Sequence, residues 1–280
     1  MRLPEFIVEK RGGATIWISR SYSDPRFVER LVDPDRLLND AKCHVIKDQK
    51  KTKVGHVTVK IGAETRSLYV KRYNSGSFRN TLISTMAQSG ALRSLQGAAI
   101  LQEAGIPTAT PVAGVENRRR GMIRKSFFLS EEIAGGKTAD AYWIENLQNQ
   151  KGREGFKSRR AFLRQLAGLF RSLHAQQIYH NDLKDANILV VAHPKGELSR
   201  LFLLDLEGVR RCFRLSERRR VKNFVQLYRT LGRYVPPTQR LEFLKCYLGP
   251  LFLDRQLKRR LIRSVLRHAS YVEHIKAVER

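Results

Sequence analysis

Residues 178–191 read IYHNDLKDANILVV and contain the most informative pattern of the chain. Its first part gathers four polar side chains of different chemistry in one short segment: His180, Asp182, Lys184 and Asn187. Its last part is an apolar run, which predicts a buried strand directly after the polar segment. The pattern therefore predicts a functional loop that is held against a core strand.

A second apolar run, residues 201–204, predicts another buried strand, and Asp205 follows its end. Mg²⁺ prefers hard oxygen ligands, which Asn187 and Asp205 can supply. A carboxylate can accept the proton of an attacking hydroxyl, and Asp182 is the candidate for this general base. A lysine can stabilise a phosphoryl group during transfer, and Lys184 is the candidate for that role. Together these side chains predict a phosphoryl-transfer site.

The segment from His180 to Asn187 resembles the catalytic loop His-x-Asp-x-x-x-x-Asn of protein-kinase-like enzymes, in which a metal-binding Asp follows on its own strand. Asp205 stands in that place. A solvated polar turn between two core strands would explain Asn and Asp in a turn, but not the complete set at this spacing. The resemblance implies an α+β, two-lobed protein-kinase-like fold, with a β-rich N-terminal lobe and a helical C-terminal lobe.

Period-two alternation covers residues 44–73 and predicts successive antiparallel strands of a small sheet. In the kinase-like interpretation, Lys71 is the strand lysine that binds the ATP phosphates. The loop that covers these phosphates should be rich in glycine, but the segment Lys-Lys-Thr-Lys-Val-Gly-His offers only Gly55. The sequence therefore predicts the lysine and leaves the phosphate-covering loop unidentified.

Short local signals predict the structure of the first forty residues. Gly12-Gly13 between two extended pieces predicts a hairpin. Asp24-Pro25 and Asp33-Pro34 each predict an N-cap that is followed by a proline at the first helical position.

Helical spacing covers residues 86–104, and Gly105 is a suitable stop for this helix. In protein kinases the helix after the strand lysine carries a glutamate that pairs with that lysine. The register predicted here turns Gln96 inward instead, and Glu103 lies too close to the helix end to replace it. Residues 130–133 are interpreted as the hinge segment, where backbone groups would contact adenine.

The second half of the chain has helical spacing. Residues 159–177 predict an amphipathic helix that leads to the catalytic loop, and residues 215–280 predict about three basic amphipathic helices. The change of period near residue 135 predicts a single kinase-like domain, with an N-terminal lobe at 1–134 and a C-terminal lobe at 135–280.

Composition limits the class of protein. The chain has 280 residues and a hydrophobic content of 42%, which suffices for a folded domain with a substantial core. Its three cysteines show no metal or disulfide spacing, which indicates a reducing compartment. The N-terminus lacks the apolar core of a signal peptide, and no apolar run has the length of a membrane span. We therefore expect a cytoplasmic protein, soluble or peripheral at the inner face of the inner membrane.

The net charge of +27 attracts polyanions, such as nucleic acid, anionic lipid or a phosphorylated glycolipid. The glycine and aromatic motifs of RNA-binding folds are not found, so nucleic acid is not expected as a partner. We expect some basic clusters to make reversible contact with anionic membrane; the alternative is that they only keep the protein soluble. The clusters are Lys50-Lys51, Arg118 to Arg120, Lys157 with Arg159-Arg160, Arg218 to Arg220 and Lys258 to Arg260.

Three stretches, taken in order, resemble the bacterial lipopolysaccharide core kinases, which phosphorylate heptose or Kdo sugars. They are LYVKRYN at residues 68–74, AGIPTATPVA at residues 104–113 and HNDLKDANIL at residues 180–189. The resemblance covers about residues 45–250, and its strand-lysine and Gly-Ile-Pro stretches are more particular to this family than the loop.

The family resemblance implies an ATP- and Mg²⁺-dependent kinase whose acceptor is an anionic glycolipid or sugar. It implies that Asp182 is the base, that Lys71 binds phosphate, and that Asn187 with Asp205 holds the metal. Two alternatives stay open: a kinase that acts on another small molecule or on protein, and a non-catalytic basic pseudokinase that binds polyanions. The excess positive charge favours an anionic acceptor, and the intact acids argue against a dead site.

Overall fold

The computed structural model describes residues 5–74, 88–119, 122–192 and 199–278, with the side chains described up to residue 270. The chain divides into two compact units, and each is a discontinuous set of segments. The first unit runs to Gln102 and also contains Thr108–Ile133 and Leu206–Val209, whereas the second contains Glu103–Pro107, Ala134–Asp205 and the chain from Arg210 onward.

The first unit is built on a seven-stranded antiparallel sheet with the order β1-β2-β6-β7-β5-β4-β3. Its strands are β1 (Phe6–Arg11), β2 (Ala14–Ser19), β3 (His44–Gln49), β4 (Thr52–Ile61), β5 (Glu64–Asn74), β6 (Pro111–Arg119) and β7 (Met122–Glu131). The hairpin at Gly12-Gly13 and the antiparallel strands within residues 44–73 are thereby confirmed.

Alternation along the strands decides which face of this sheet is buried. Val57 and Val59 of β4 and Leu68 and Val70 of β5 all point into one apolar core, and Val57 lies opposite Leu68 in the register. Two short helices, α1 (Pro25–Arg30) and α2 (Asp35–Leu38), contribute further side chains to this core, so the opening segment is part of the fold.

The two predicted N-caps have different outcomes. Asp24 caps α1, because its Oδ1 accepts a hydrogen bond of 2.9 Å from the amide of Phe27, and Pro25 is the first helical residue. The prediction for Asp33 is wrong, since Pro34 itself occupies the N-cap position of α2 and the helix begins at Asp35.

Helix α3 (Gly90–Glu103) confirms most of the helix that was predicted at residues 86–104; residues 86 and 87 lie outside the described part of the chain. The hydroxyl groups of Tyr73 and Ser94, 2.8 Å apart, join β5 to this helix. Gly97 is a point of close approach, because a Cβ atom there would lie 2.2 Å from the carbonyl oxygen of Leu206. A residue without a side chain therefore lets α3 pack directly on the backbone that follows Asp205.

The second unit is mainly helical, as predicted. Its helices are α4 (Ala139–Tyr142), α5 (Gly152–Ala175), α6 (Glu217–Arg229), α7 (Pro237–Leu248) and α8 (Arg255–Val278). Its short strands are β8 (Lys137–Thr138), β9 (Ile178–His180), β10 (Ile188–Val191), β11 (Arg200–Leu203) and, from Arg210 onward, β12 (Val209–Arg211). They form a three-stranded sheet, β11-β10-β8, and a pair, β12-β9.

Helix α5 begins at Gly152, seven residues before the predicted start, and it buries Phe162, Leu166, Phe170 and Leu173 on one face. These positions follow the i, i+4, i+8, i+11 spacing of a single helical stripe. Phe170 stacks on Phe224 of α6 with ring centres 5.7 Å apart, so the same stripe anchors the helix that follows the catalytic loop. Within the described residues, no helix is both long enough and apolar enough to cross a membrane.

We predict that Gly97→Ala lowers the free energy of unfolding by about 1–3 kcal/mol, the usual cost of overpacking a close contact. The matched control is Gly168→Ala in α5, where a Cβ would meet no atom within 4 Å. This control should gain about 0.5–1 kcal/mol, because alanine favours a helix over glycine. Urea unfolding measures both variants, and a stabilising effect of Gly97→Ala would contradict the close approach of α3.

Candidate active site

The predicted catalytic loop is fixed at both ends by strands. It leaves β9 at His180, passes through a short 3₁₀ turn at Asp185–Asn187 and enters β10, which pairs with β11. The amide of Leu204 donates a hydrogen bond of 2.9 Å to the carbonyl oxygen of Asn187. Asp205 is the next residue, so the backbone brings the end of β11 to the end of the loop.

Asp182 is held by two other predicted site residues. The ammonium group of Lys184 donates to Asp182 Oδ2 at 2.7 Å, and Asn187 Nδ2 donates to the same oxygen at 3.1 Å. Asn187 Nδ2 also donates to the carbonyl oxygen of Asp182 at 2.7 Å. The structure therefore brings three predicted residues together, with the Asp182 carboxylate aimed by a cation and an amide.

His180 is completely buried and connects the loop to the strand that precedes Asp205. Its Nε2–H donates to the carbonyl oxygen of Leu204 at 2.9 Å, and its Nδ1 accepts from the amide of Asp182 at 3.2 Å. Burial lowers the pKa of His180, which favours the neutral ring that these two bonds require. His180 thus acts as a spacer between the two segments that carry the predicted acids.

Asp205 adopts a left-handed backbone conformation with φ of 57°, which is uncommon outside glycine. Such a conformation at a polar residue is typical of functional positions, where the surrounding structure maintains it.

No group of three or more His, Cys, Asp or Glu side chains that could hold a metal ion is found in the described part of the chain. The oxygen donors of Asn187 and Asp205 fit Mg²⁺, which usually binds few protein ligands and takes the rest from phosphates and water.

Two amide side chains of α6 support the loop, and neither was predicted from the sequence. Asn223 Nδ2 donates to the carbonyl oxygen of His180 at 2.6 Å. Gln226 donates to the carbonyl oxygen of Asn181 at 2.7 Å and accepts from the amide of Leu183 at 3.1 Å. These bonds satisfy backbone groups that a tight loop cannot pair internally. The sequence offered only a weak indication of this role, namely that Asn223 falls on the apolar face of an amphipathic helix.

A buried histidine extends this support to α7. His174 is 1% exposed, and its ring nitrogens bond to Asn223 Oδ1 at 3.2 Å and to the Tyr247 hydroxyl at 2.9 Å. Burial lowers the pKa of His174 to about 4. The ring is therefore neutral at pH 7 and can donate to Asn223 while it accepts from Tyr247.

Lys71 lies in the first unit, on β5, opposite Val54 of β4. Alternation turns it away from the core face, and its ammonium nitrogen lies 4.9 Å from the ring centre of Tyr73. The turn between β3 and β4 is Lys50-Lys51, whose carbonyl oxygens accept hydrogen bonds from Asn74 at 2.9 and 3.0 Å. This basic turn borders the strand that carries Lys71.

Gly55, the glycine that the sequence offered for the phosphate-covering loop, lies inside β4. A Cβ at this position would be 2.5 Å from Cys43 Sγ and 2.8 Å from a methyl group of Leu38. Its small size therefore serves the packing of the sheet.

A ring pair lies beside the predicted hinge. His56 and Tyr69 are cross-strand neighbours with ring centres 5.1 Å apart, and His56 Nε2 lies 3.0 Å from Glu132 Oε2. The amides of Glu131 and Glu132 donate to the carbonyl oxygens of Thr110 and Ser67. These bonds hold the predicted hinge segment to neighbouring strands of the first unit, and the two rings, tilted by 54° to each other, lie beside it.

These features define a class of protein. A β-rich first unit with a lysine on its fifth strand, and a helical second unit with the loop His-x-Asp-x-x-x-x-Asn, constitute a protein-kinase-like fold. A family model described as the lipopolysaccharide kinase (Kdo/WaaP) family matches residues 39–247, and the chain belongs to this family. It is therefore a kinase, a phosphotransferase with a hydroxyl group as acceptor.

Solved structures agree with this fold. The structure of WaaP in complex with acyl carrier protein matches with a TM-score of 0.63 and 19% sequence identity, over 89% of this chain and 97% of that chain. The fold is widespread, since 964 chains of known structure match. A search of curated proteins gives no match.

We predict that His174 makes stability depend on pH between about 6.5 and 4. In the unfolded chain, His174 takes up a proton as the pH falls below its ordinary pKa of 6.5. In the folded chain, it takes up a proton only when the pH approaches 4. Stability is therefore full above pH 6.5 and falls by up to about 3 kcal/mol as the pH drops to 4. Denaturant unfolding across this range measures the slope.

The variant His174→Gln should be less stable at pH 7 and show a flatter slope in this window. The control is His268→Gln, because His268 is exposed on α8 and should leave the slope unchanged. An equal slope in the wild type and in His174→Gln would contradict the assignment.

Proposed function

We propose that the protein is an ATP- and Mg²⁺-dependent kinase that transfers the γ-phosphate to a hydroxyl of a lipopolysaccharide inner-core sugar, heptose or Kdo. The observation that carries the proposal is the arrangement of the Asp182 carboxylate, which accepts hydrogen bonds from Lys184 at 2.7 Å and from Asn187 at 3.1 Å. The end of the same loop is hydrogen-bonded to Leu204, the residue before Asp205. Family membership supports the lipopolysaccharide acceptor.

Asp182 would act as the general base. Its carboxylate accepts hydrogen bonds, so it can orient a sugar hydroxyl and take its proton as the oxygen attacks phosphorus. Lys184, already 2.7 Å from Asp182, would stabilise the negative charge on the transferred phosphoryl group. The side-chain nitrogen of Asn187 donates hydrogen bonds to Asp182 and keeps it in place. The side-chain oxygen of Asn187 would then be the atom that binds the metal. Mg²⁺ bound by Asn187 and Asp205 would neutralise charge on the phosphates.

The nucleotide-binding residues would lie in the first unit. Lys71 would bind the phosphates as a point charge, and the basic Lys50-Lys51 turn would supply backbone amides and ammonium groups near that strand. The rings of His56 and Tyr69, tilted by 54° to each other, would contact the adenine base, one of them by offset stacking. The bond between His56 and Glu132 would keep the His56 ring in position for this contact.

The alternatives remain a kinase for another small molecule or for protein, and a non-catalytic protein that binds polyanions. The contacts of Asp182 favour catalysis, since a dead site has no need to aim a half-exposed carboxylate with both a lysine and an asparagine. Reversible contact with anionic membrane stays a prediction of the sequence.

We predict that Asp182→Asn lowers turnover by about 10²–10⁴-fold or more, because it keeps the side-chain shape and removes the proton acceptor. The assay incubates the protein with labelled ATP and a lipopolysaccharide extract and then locates the label. The wild type should label a core sugar, and nucleotide affinity should be similar in both proteins. Asp33→Asn, an exposed acid outside the loop, is the control and should keep wild-type turnover. Label in protein alone would refute the proposed acceptor.

We predict that Asp205→Asn removes the Mg²⁺-dependent part of nucleotide binding, a loss of about tenfold or more in affinity. Asparagine is the suitable replacement because it tolerates the left-handed backbone of Asp205 better than alanine does. Calorimetry with ATP, with and without Mg²⁺, measures the difference, and thermal unfolding verifies the fold. If Mg²⁺ strengthened binding equally in both proteins, the metal assignment would be wrong.

A further inference from the structure

A recess of about 570 Å³ next to the catalytic loop is lined by basic side chains. We call it the basic recess and define it by Tyr179, Asn181, Arg210, Arg218, Arg219 and Lys222. All six residues belong to the second unit. They come from β9 and the loop, from β12 and from the first turns of α6, so the fold, and not one basic run in the sequence, creates the recess.

Three cations surround one buried ring. The guanidinium carbons of Arg210 and Arg219 lie 5.2 and 5.4 Å from the ring centre of Tyr179, and the ammonium of Lys222 lies 5.9 Å from it. Tyr179 is 2% exposed, so the ring is a fixed platform. Each cation–π contact at such a site is worth only about 0.5–1 kcal/mol, and the three like charges repel one another.

The polar contacts of the recess leave its charge uncompensated. Among the described residues, no carboxylate lies within 4 Å of the charged groups of Arg210, Arg218, Arg219 or Lys222. Lys222 donates to Asn181 Oδ1 at 3.0 Å, and Arg219 donates to Cys212 Sγ at 3.0 Å, so neither of these acceptors is a carboxylate.

Two other basic clusters of this chain contain an arginine that is paired with an acid. Arg160 lies 2.7 Å from Glu242, and Arg260 lies 3.1 Å from Glu217. The basic recess is therefore a local concentration of charge that the protein does not neutralise with its own acids in the described structure.

Helix α6 adds to this positive charge. It begins at Glu217 with Ser216 as N-cap, and Arg218 and Arg219 stand in its first turn. The start of a helix carries the positive end of its dipole, where basic side chains are unfavourable and a bound anion is favourable. Glu217, the acid of this first turn, lies 3.1 Å from Arg260 of α8, so the cations of the recess still stand at a helix terminus of the same sign, an arrangement that an anion would stabilise.

We propose that the basic recess binds a phosphate group of the acceptor, a proposal that rests on the proposed function. Two guanidinium groups can hold a phosphate through paired hydrogen bonds, and Lys222 adds a point charge. Asn181 belongs to the recess and is adjacent in sequence to Asp182. A phosphate held there would position the same acceptor's hydroxyl for Asp182. The recess would thus select sugars that are already phosphorylated, so an earlier phosphorylation must supply this substrate.

The first test uses a lipid-free inner-core oligosaccharide that carries a phosphate monoester, and the same oligosaccharide after phosphatase treatment. The wild type should show a KM about 10–100-fold lower for the phosphorylated form, the range of charge-assisted hydrogen bonds. Arg210→Gln with Arg219→Gln should remove this difference and leave the KM for ATP unchanged. Because the acceptor carries no lipid, a phospholipid headgroup cannot produce the effect.

The matched control is Arg263→Gln with Arg267→Gln, which removes the same charge from a second basic face on α8. It should keep the wild-type preference for the phosphorylated acceptor. An equal KM for both acceptors in the wild type, or an equal loss in both double variants, would overturn the proposal.

A second measurement does not depend on turnover. Titration with inorganic phosphate should shift the side-chain Nε–Hε NMR signals of Arg210 and Arg219, and leave those of Arg263 and Arg267 in place. Uniform shifts or none would refute a specific site. If the wild type phosphorylates neither acceptor, the proposed function fails, and this titration alone decides whether the recess binds phosphate.

Discussion

The buried imidazole of His180 is the constraint on which the rest of the active site depends. It spans the gap between the amide of Asp182 and the carbonyl oxygen of Leu204, so it fixes the spacing of the two segments that end in candidate catalytic acids. This role needs a neutral ring with a defined tautomer, and burial enforces it by lowering the pKa. A charged ring would lose the bond from the Asp182 amide. The geometry of the acids is therefore set by a residue that takes no part in the chemistry.

Hydrogen bonds between buried polar groups connect His180 to the surrounding helices. Tyr247, His174 and Asn223 form a continuous chain of hydrogen bonds that ends on the carbonyl oxygen of His180. Each member is buried, so losing one partner would leave another group unsatisfied, at a cost of about 1–3 kcal/mol. Such a chain specifies one arrangement of loop and helices, because apolar packing alone tolerates small shifts whereas hydrogen-bond geometry does not. The rigidity of the loop thus comes from α6 and α7 as well as from its own turn.

The sequence predicted the parts of this structure that are encoded locally. The loop, its flanking strands and the α+β class were readable because residue type and spacing within a few positions determine them. The supporting amide of Gln226 was missed, because its partners lie some forty residues earlier and no local pattern reveals them. The packing role of Gly55 could not be predicted for a similar reason: it is set by Cys43 and Leu38, which only the folded sheet brings near. The start of α2 was misplaced because Asp-Pro permits two cap registers.

The distribution of charge is a further property that composition cannot reveal. With 53 basic and 26 acidic residues, even complete pairing would leave 27 cations without an acid, so unpaired cations are expected over much of the surface. Repulsion favours spreading them out. The fold instead gathers Arg210 of β12 with Arg219 and Lys222 of α6 around the ring of Tyr179, beside the loop that carries Asp182. This local departure from the arrangement that stability favours is the observation behind the proposed phosphate site, and Asn181, which lines the recess and precedes Asp182, is the residue that connects that site to the candidate base.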